Sequence, residues 1–397
     1  MGLGMVRPMT HFDVAIVGGG IVGSSTAYYL RKNGFTGSIG LFEQDMSFKR
    51  ACTSLSWGGI RQQFSTPENI RLSQFGLALI RNLKDEFGPE ADIGFKEQGY
   101  LVLATEGSVA VLEENQKLQR SMGADTEIYW GADMARRFPW INFDGIAAAS
   151  FGPRNEGWFD PYSLMSIVRK AALARDVTLV QQAVAGIGRN GKITSLSTAG
   201  GETFTVGALV NAAGASAGAV AGFAGIELPV SPAKRFVYVI DCPGASEAMR
   251  KGPLTFDVTG EYFRPEGRNF IWGFTPSDDE EPKVKDWEMD ESWFENRIWP
   301  ALASRVPAFE AVKMIGGWIG HYDYNWFDHN GIIGRHPDIE NFYFANGFSG
   351  HGIQQGPATG NAIAELICFG GYRTIDLARL GYERLQRKEP LFEKNIF

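Results

Sequence analysis

Apolar residues along this chain fall into short runs separated by glycine-rich turns, and the period of the runs changes from one stretch to the next. Phe12–Val17 ("FDVAIV") is a compact apolar run that reads as a strand. Glycines follow at once, and "IVGSSTAYYLRKNG" then reads as a helix. A second apolar run, Ser38–Glu43 ("SIGLFE"), ends on an acid. Strand, turn, helix and strand within ~30 residues form a βαβ unit, which predicts a parallel sheet beneath.

Further helices announce themselves by their starts. Thr66 and Pro67 give an N-cap followed by proline at the first helical position, and Ile70, Leu72, Phe75, Leu79, Ile80 and Leu83 supply a buried face. Asp160 and Pro161 repeat the signal ahead of Leu164, Ile167, Val168, Ala171 and Leu173. "VTLVQQAVAGI" and "GALVNAAGASA" then return to strand-like runs. Residues 92–150 and 227–330 have a different texture, rich in β-branched and aromatic positions ("RFVYVIDC", "TFDVTGEYFRPEGRNFIWGF"), which predicts antiparallel strands. The chain thus leaves and re-enters its α/β part twice. The expected architecture is α/β: a discontinuous Rossmann-like domain from residues 1–91, 151–226 and 331–397, and a second α+β domain from 92–150 and 227–330, built on an antiparallel sheet. A ligand cleft is expected where the two meet.

Composition narrows the function. With 44% hydrophobic and 21% charged residues the 397-residue chain is ordinary for a packed protein, and its formal charge of −7 with no long basic cluster argues against nucleic-acid binding. Cys52, Cys242 and Cys368 are odd in number and widely spaced, so neither a disulfide framework nor a zinc site is suggested, and a reducing cytoplasm fits. The five histidines lack metal-ligand spacing, so no metal is expected. No apolar stretch reaches the ~20 residues of a membrane span, and residues 1–10 hold no leader-like core.

The strongest chemical signal is the first turn. Gly18, Gly20 and Gly23 make G-x-G-x-x-G: one glycine bends the chain, one lets the backbone approach a pyrophosphate, and one lets the helix pack close on the strand. The pyrophosphate would sit on the helix N-terminus. Glu43, 20 residues after Gly23 at a strand end, is placed to accept bonds from ribose hydroxyls. The motif's N-terminal position and a second glycine-rich stretch feeding a helix, "NGFSGHGIQQGPATGNAIAELI", favour FAD over NAD, since two glycine turns suit a long two-ended cofactor.

At this point the sequence resembles the D-amino-acid-oxidase-like flavoproteins, in the branch of sarcosine oxidases, glycine oxidases, dimethylglycine dehydrogenases and their mitochondrial FAD-oxidoreductase-domain relatives. The likeness rests on "DVAIVGGGIVGSSTAYYL", "TSLSWGGIRQQFS", "LVNAAGASA", "YFRPEG", "GIIGRHP" and "NGFSGHGIQQGPATG", in that order along nearly the whole chain. The resemblance implies that Gly18, Gly20, Ile21, Val22, Gly23, Glu43 and Gln44 hold the adenosine and pyrophosphate half of FAD, with Val184 also against the cofactor. It further implies that Thr53, Ser54, Ser56, Trp57, Gly58 and Gly59 pass along the flavin, that Ala213 and Gly214 touch it, and that Gly350, His351, Gly352, Ile353 and Gln354 reach the pyrimidine end of its ring. Gly320 stands where monomeric sarcosine oxidases carry the flavin-linking cysteine, and the region around Ser56 has no histidine, so FAD is expected to be non-covalent. Ile271 replaces the lysine that activates oxygen in sarcosine oxidases, leaving O2 and an electron-carrier protein both open as acceptor.

The implied activity is oxidation of the C–N bond of a small secondary or tertiary amino acid with a free carboxylate, such as sarcosine, dimethylglycine or iminodiacetate. Arg61 is the expected carboxylate ligand, Tyr262 and Tyr322 the expected hydroxyls from the second domain, Arg264 and His321 further carboxylate contacts, and His351 and Gln354 groups that orient substrate or bond the flavin. Catalytic roles are expected for Arg61, Tyr262, Tyr322 and His351. A flavin-stabilised scaffold without turnover and an NAD-dependent dehydrogenase are the competing readings.

Overall fold

A computed structural model describes residues 10–277, 279–282 and 285–394, so the extreme N-terminal stretch read for a leader lies outside the described residues. From its start the chain forms β1 (His11–Val17), α1 (Ile21–Lys32), β2 (Ile39–Phe42), β3 (Gly59–Ile60), α2 (Pro67–Arg81) and β4 (Tyr100–Ala104). Next come β5 (Glu127–Trp130), β6 (Ala148–Gly152), β7 (Gly157–Trp158), α3 (Pro161–Leu173), β8 (Val177–Val180), β9 (Val184–Asn190), β10 (Lys192–Thr198) and β11 (Thr203–Asn211). The remainder supplies β12 (Val230–Asp241), β13 (Leu254–Phe256), β14 (Glu261–Glu266), β15 (Asn269–Phe274), β16 (Lys313–Asn325), β17 (Ile332–Arg335), β18 (Phe342–Asn346) and α4 (Gly352–Phe369).

Two large sheets organise these elements. The first runs β17-β18-β11-β1-β2-β8, with β10 and β9 attached beyond β11. Its centre is parallel: β1 pairs with both β11 and β2, and β11 with β18. The four residues Val14–Val17 of β1 are buried, as expected of a strand covered on both faces. Helices α1 and α4 cross closely because α4 presents glycines. A β-carbon on Gly360 would come within 2.5 Å of Ser25 Cβ, and one on Gly356 within 3.0 Å of an Ile21 methyl. Gly76 gives α2 the same closeness, since a β-carbon there would meet the Gln354 carbonyl oxygen at 2.3 Å.

The second sheet runs β16-β12-β15-β14-β13-β4-β6-β5 and is antiparallel except where β4 joins β13 in parallel. One face carries an aromatic core that includes Phe236, Tyr238, Phe263, Phe270 and Trp272. The alternate residues, Val237, Tyr262 and Ile271 among them, turn the other way with Trp57 and Trp158. The architecture is the expected α/β fold with a second, antiparallel sheet. One boundary needs correcting: β6 belongs wholly to the second sheet and runs through the division expected between residues 150 and 151, because its pairing with β4 continues to Gly152. Among the described residues no helix is long and apolar enough to cross a membrane, and no cluster of metal-ligating side chains occurs.

Candidate active site

Two adjoining hollows lie between the sheets. The first, a cleft of about 980 Å³, is open to solvent and begins at the end of β1. Gly18 has φ of +105°, and a β-carbon on it would clash with the Ala212 carbonyl oxygen at 2.3 Å. Gly23 lets α1 approach the turn, since its β-carbon would lie 1.9 Å from the Gly18 carbonyl oxygen. Gly20 differs: only Thr53 Oγ1, at 3.1 Å, would meet an added β-carbon, and the residue lines the cleft. The space in front of Gly20 is therefore kept for something other than this chain. Ile21 N–H, at the helix start, donates to Thr53 Oγ1 at 3.1 Å. Glu43 accepts from Gly19 N–H and from Asp45 N–H, both at 2.9 Å, so its carboxylate is fixed at the cleft wall beside Gln44 and Val22.

Ala213 and Gly214 after β11, and Gly350, Gly352 and Ile353 at the start of α4, also line this cleft. Asp323 braces the loop between β18 and α4: its Oδ2 accepts from Gly347 and Phe348 N–H at 2.9 and 3.1 Å. Burial pushes the Asp323 carboxyl up to about 6.

The second hollow, about 1150 Å³, shares Ser56, Tyr322, Gly350 and Ile353 with the first. Arg61 stands in it, buried, its guanidinium 4.5 Å from the Phe64 ring centre and 5.8 Å from that of Phe256. Its backbone N–H donates to Gln354 Oε1 at 2.9 Å, and the same oxygen accepts from Ser73 Oγ, which ties the Arg61 strand to α4. Arg61 Nη2 lies 3.1 Å from His351 Nε2. A guanidinium only donates, so this imidazole nitrogen must accept, and His351 is neutral with its proton on Nδ1. Burial, with the adjacent Arg61 charge second, drives the His351 pKa down to about 3. On the opposite wall Tyr262 stacks on Phe256 at 4.9 Å and faces the Tyr322 and Thr275 hydroxyls. Burial holds the Tyr262 phenol well above its usual range, so it stays protonated.

The remaining expected residues are dispersed. Trp57 and Gly59 line the second hollow rather than the first. Gly58, at φ +68°, packs its α-carbon against the Phe159 carbonyl and accepts no ligand position in either hollow. Ser54 Oγ is buried without a hydrogen-bond partner among the described residues. Val184 starts β9 in an apolar cluster and lines neither hollow. Arg264 also lines neither: Trp57 stands between it and the cavity, and its Nη2 donates to the Trp57 carbonyl at 3.0 Å while Nη1 pairs with Glu266. His321 projects from the other face of β16, stacks on Trp287 and bonds the Asp286 carbonyl at 3.1 Å. Conversely, sequence reasoning missed Tyr100, Arg235, Phe256 and Glu393, all in the second hollow. An arginine inside the apolar strand run "RFVYVI" was the available signal for Arg235.

Comparison with known proteins places this geometry. The family model described as FAD dependent oxidoreductase (DAO) matches residues 13–366. The chain belongs to this DAO family of FAD-dependent oxidoreductases. It is 40% identical over 437 aligned positions to FAD-dependent oxidoreductase domain-containing protein 1 of Xenopus laevis, covering 98% of this chain and 85% of that protein. Among solved structures, L-proline dehydrogenase from P. horikoshii superposes with a TM-score of 0.84 at 25% identity, covering 96% of this chain and 100% of its own. Glycine oxidase from Geobacillus kaustophilus follows at 0.79 and 25%, covering 94% and 98%. The residues of this DAO-family chain fit FAD: the uncrowded α-carbon of Gly20, the fixed Glu43 carboxylate and the second glycine turn at Gly350 all line one cleft.

Proposed function

We propose that this chain oxidises the C–N bond of a small secondary or tertiary amino acid, an N-substituted glycine, using FAD held non-covalently in the first cleft. The observation that carries this reading is the buried Arg61 guanidinium, set by a neutral histidine in a hollow that opens onto the flavin cleft. The names of the structural relatives support the substrate class, since one is called a proline and the other a glycine enzyme, and proline is itself a secondary amino acid. Gly320 and Ser56 offer no side chain able to form a flavin linkage.

When bound, FAD supplies a two-electron acceptor for the hydride that leaves the carbon beside nitrogen. Arg61 binds the substrate carboxylate through paired N–H donors, which fixes that carbon's orientation. His351 holds the guanidinium plane and, with a pKa near 3, neither donates nor stores a proton at neutral pH. Tyr262 and Tyr322 present hydroxyls, and Phe256 and Leu254 an apolar wall that excludes water. The amine enters neutral, having lost its proton to solvent, because only its free lone pair can expel the hydride. The resulting iminium takes up water and separates into an amine and an aldehyde or keto acid.

The test is anaerobic mixing of the purified yellow protein with a panel of N-substituted glycines, followed by admission of air. Bleaching of the flavin by at least one member is the expected result, and the rate at which colour returns reports whether O2 or a carrier is the acceptor. A flavin that no member bleaches would favour the non-catalytic scaffold.

A further inference from the structure

A second arginine faces the substrate hollow. Arg235 lies on β12 opposite Gly320 of β16, a pairing that sets it on the same sheet face as Tyr322 and Tyr324. Both rings lie against its guanidinium, at 5.2 and 5.4 Å, and all three side chains line the second hollow with Tyr262 and Thr275. Its Nη1 donates to the Lys234 carbonyl and to Glu281 Oε2, at 2.9 and 2.6 Å. Its Nε and Nη2, buried like the rest of the side chain, have no hydrogen-bond partner among the described residues. Buried guanidinium N–H groups are seldom left without acceptors, so a missing acceptor is implied.

Local charge points to an anion. Glu281 is shared, pairing with Arg235 through one oxygen and with Lys285 through the other. Neighbouring Lys234 is matched by Asp286 on the opposite face of the strand. The cluster of Lys234, Arg235 and Lys285 against Glu281 and Asp286 thus retains one positive charge. Glu393 enters the hollow from a different segment, but its carboxylate is already taken by Ser65, Thr66 and Asn69.

We infer that Arg235 forms a second anion subsite, and that the preferred substrate carries two carboxylates, one held by Arg61 and the other, on the nitrogen substituent, by Arg235. The inference rests on the amine-oxidation reading for its chemistry, but its binding component stands separately. A planar fork packed against two tyrosine rings is preorganised for a carboxylate, and a monocarboxylate leaves its N–H groups unmatched.

Two unreactive ligands test this on the FAD-loaded protein by the change they cause in the flavin spectrum: thiodiacetate, with two carboxylates, and methylthioacetate, with one. Thiodiacetate is expected to bind at least about tenfold more tightly, and Arg235→Gln to remove most of that advantage while leaving methylthioacetate affinity within about threefold. Arg235→Lys, which keeps the charge, should retain part of it. Glu281→Gln breaks the clasp from the other side. It should preserve or strengthen diacid binding if Arg235 is a subsite, and weaken both ligands alike if Arg235 is only a structural tie. Equal affinity of the wild-type protein for the two ligands, or equal losses for both in Arg235→Gln and Glu281→Gln, would overturn the subsite. Selective diacid binding in a protein whose flavin no N-substituted glycine bleaches would leave the subsite standing and sink the amine-oxidation reading instead.

Discussion

Replacing Arg61 by lysine keeps a positive charge in the hollow and removes the planar fork. In the wild-type protein the guanidinium lies over Phe64, its plane fixed by the His351 ring at 3.1 Å. Lysine offers one compact ammonium on a flexible stem, so a carboxylate held through two parallel bonds is left with one. A charge-assisted hydrogen bond contributes about 1.5–3 kcal/mol, which corresponds to a rise in substrate dissociation constant of roughly 10- to 150-fold. Loss of the donor to His351 Nε2 adds to the effect, because that nitrogen stays buried. The assay is anaerobic stopped-flow reduction of the flavin at a series of substrate concentrations, which separates the dissociation constant from the limiting rate. The constant should rise within that range, and the limiting rate should fall less, since a carboxylate that keeps its charge through hydride transfer is gripped similarly in ground and transition states. A variant with full flavin content and a dissociation constant within about twofold of wild type would refute Arg61 as the carboxylate ligand.

Further outcomes follow from the same geometry. Gly20→Ala should lower FAD affinity by at least about tenfold with little change in the apoprotein's melting temperature, because its β-carbon enters the cleft; Gly23→Ala should damage both, since its β-carbon meets the Gly18 carbonyl at 1.9 Å. Equal effects of the two substitutions on apoprotein melting would contradict this division. Glu156, buried and accepting from Gln62 N–H and Gln63 Nε2, has its pKa raised from 4.5 to about 7 by burial. The folded state therefore holds the proton more firmly than the unfolded state. The associated stability is fully present below about pH 4.5 and is lost as pH rises to about 7, by up to roughly 3 kcal/mol. His351, lowered from 6.5 to about 3, works in the opposite sense, its contribution present above about pH 6.5 and lost as pH falls. Glu156→Gln should consequently tilt the melting profile so that stability rises from pH 4.5 to 6.5, and parallel profiles for variant and wild type would dismiss the assignment. Truncation after Pro390 removes Phe392 and Glu393 from the mouth of the substrate hollow, where Glu393 accepts from Ser65 N–H and Oγ at 2.6 Å. Iodide should then quench flavin fluorescence more strongly, and unchanged quenching would show that this segment does not shield the ring.

The α/β half of the molecule was legible because its signals are local: a glycine turn between two apolar runs, and N-caps followed by proline. The second sheet was legible as a texture but not as a register. Tyr262 and Arg264 are two apart on β14 and share a face, so both were natural candidates for the cavity, yet the Trp57 indole from a distant segment stands between them. Tyr322 and His321 are adjacent and must point to opposite faces, but nothing in their neighbours along the chain says which faces the flavin side. Arg235 became visible only once β12 was paired with β16. Glu393 belongs to a C-terminal segment without regular structure, whose place depends on acceptors such as Asp328 and donors such as Asn115 and Asn330.

The two glycine turns that line the first cleft are more than 300 residues apart, at Gly18 and Gly350, and β18 must slot beside β11 before the second is in place. The complete pocket therefore exists only once strands far apart in sequence have paired, and a cofactor held there would tie the two segments together. Such closure makes heat tolerance a function of cofactor supply, rising with the logarithm of free FAD above its dissociation constant.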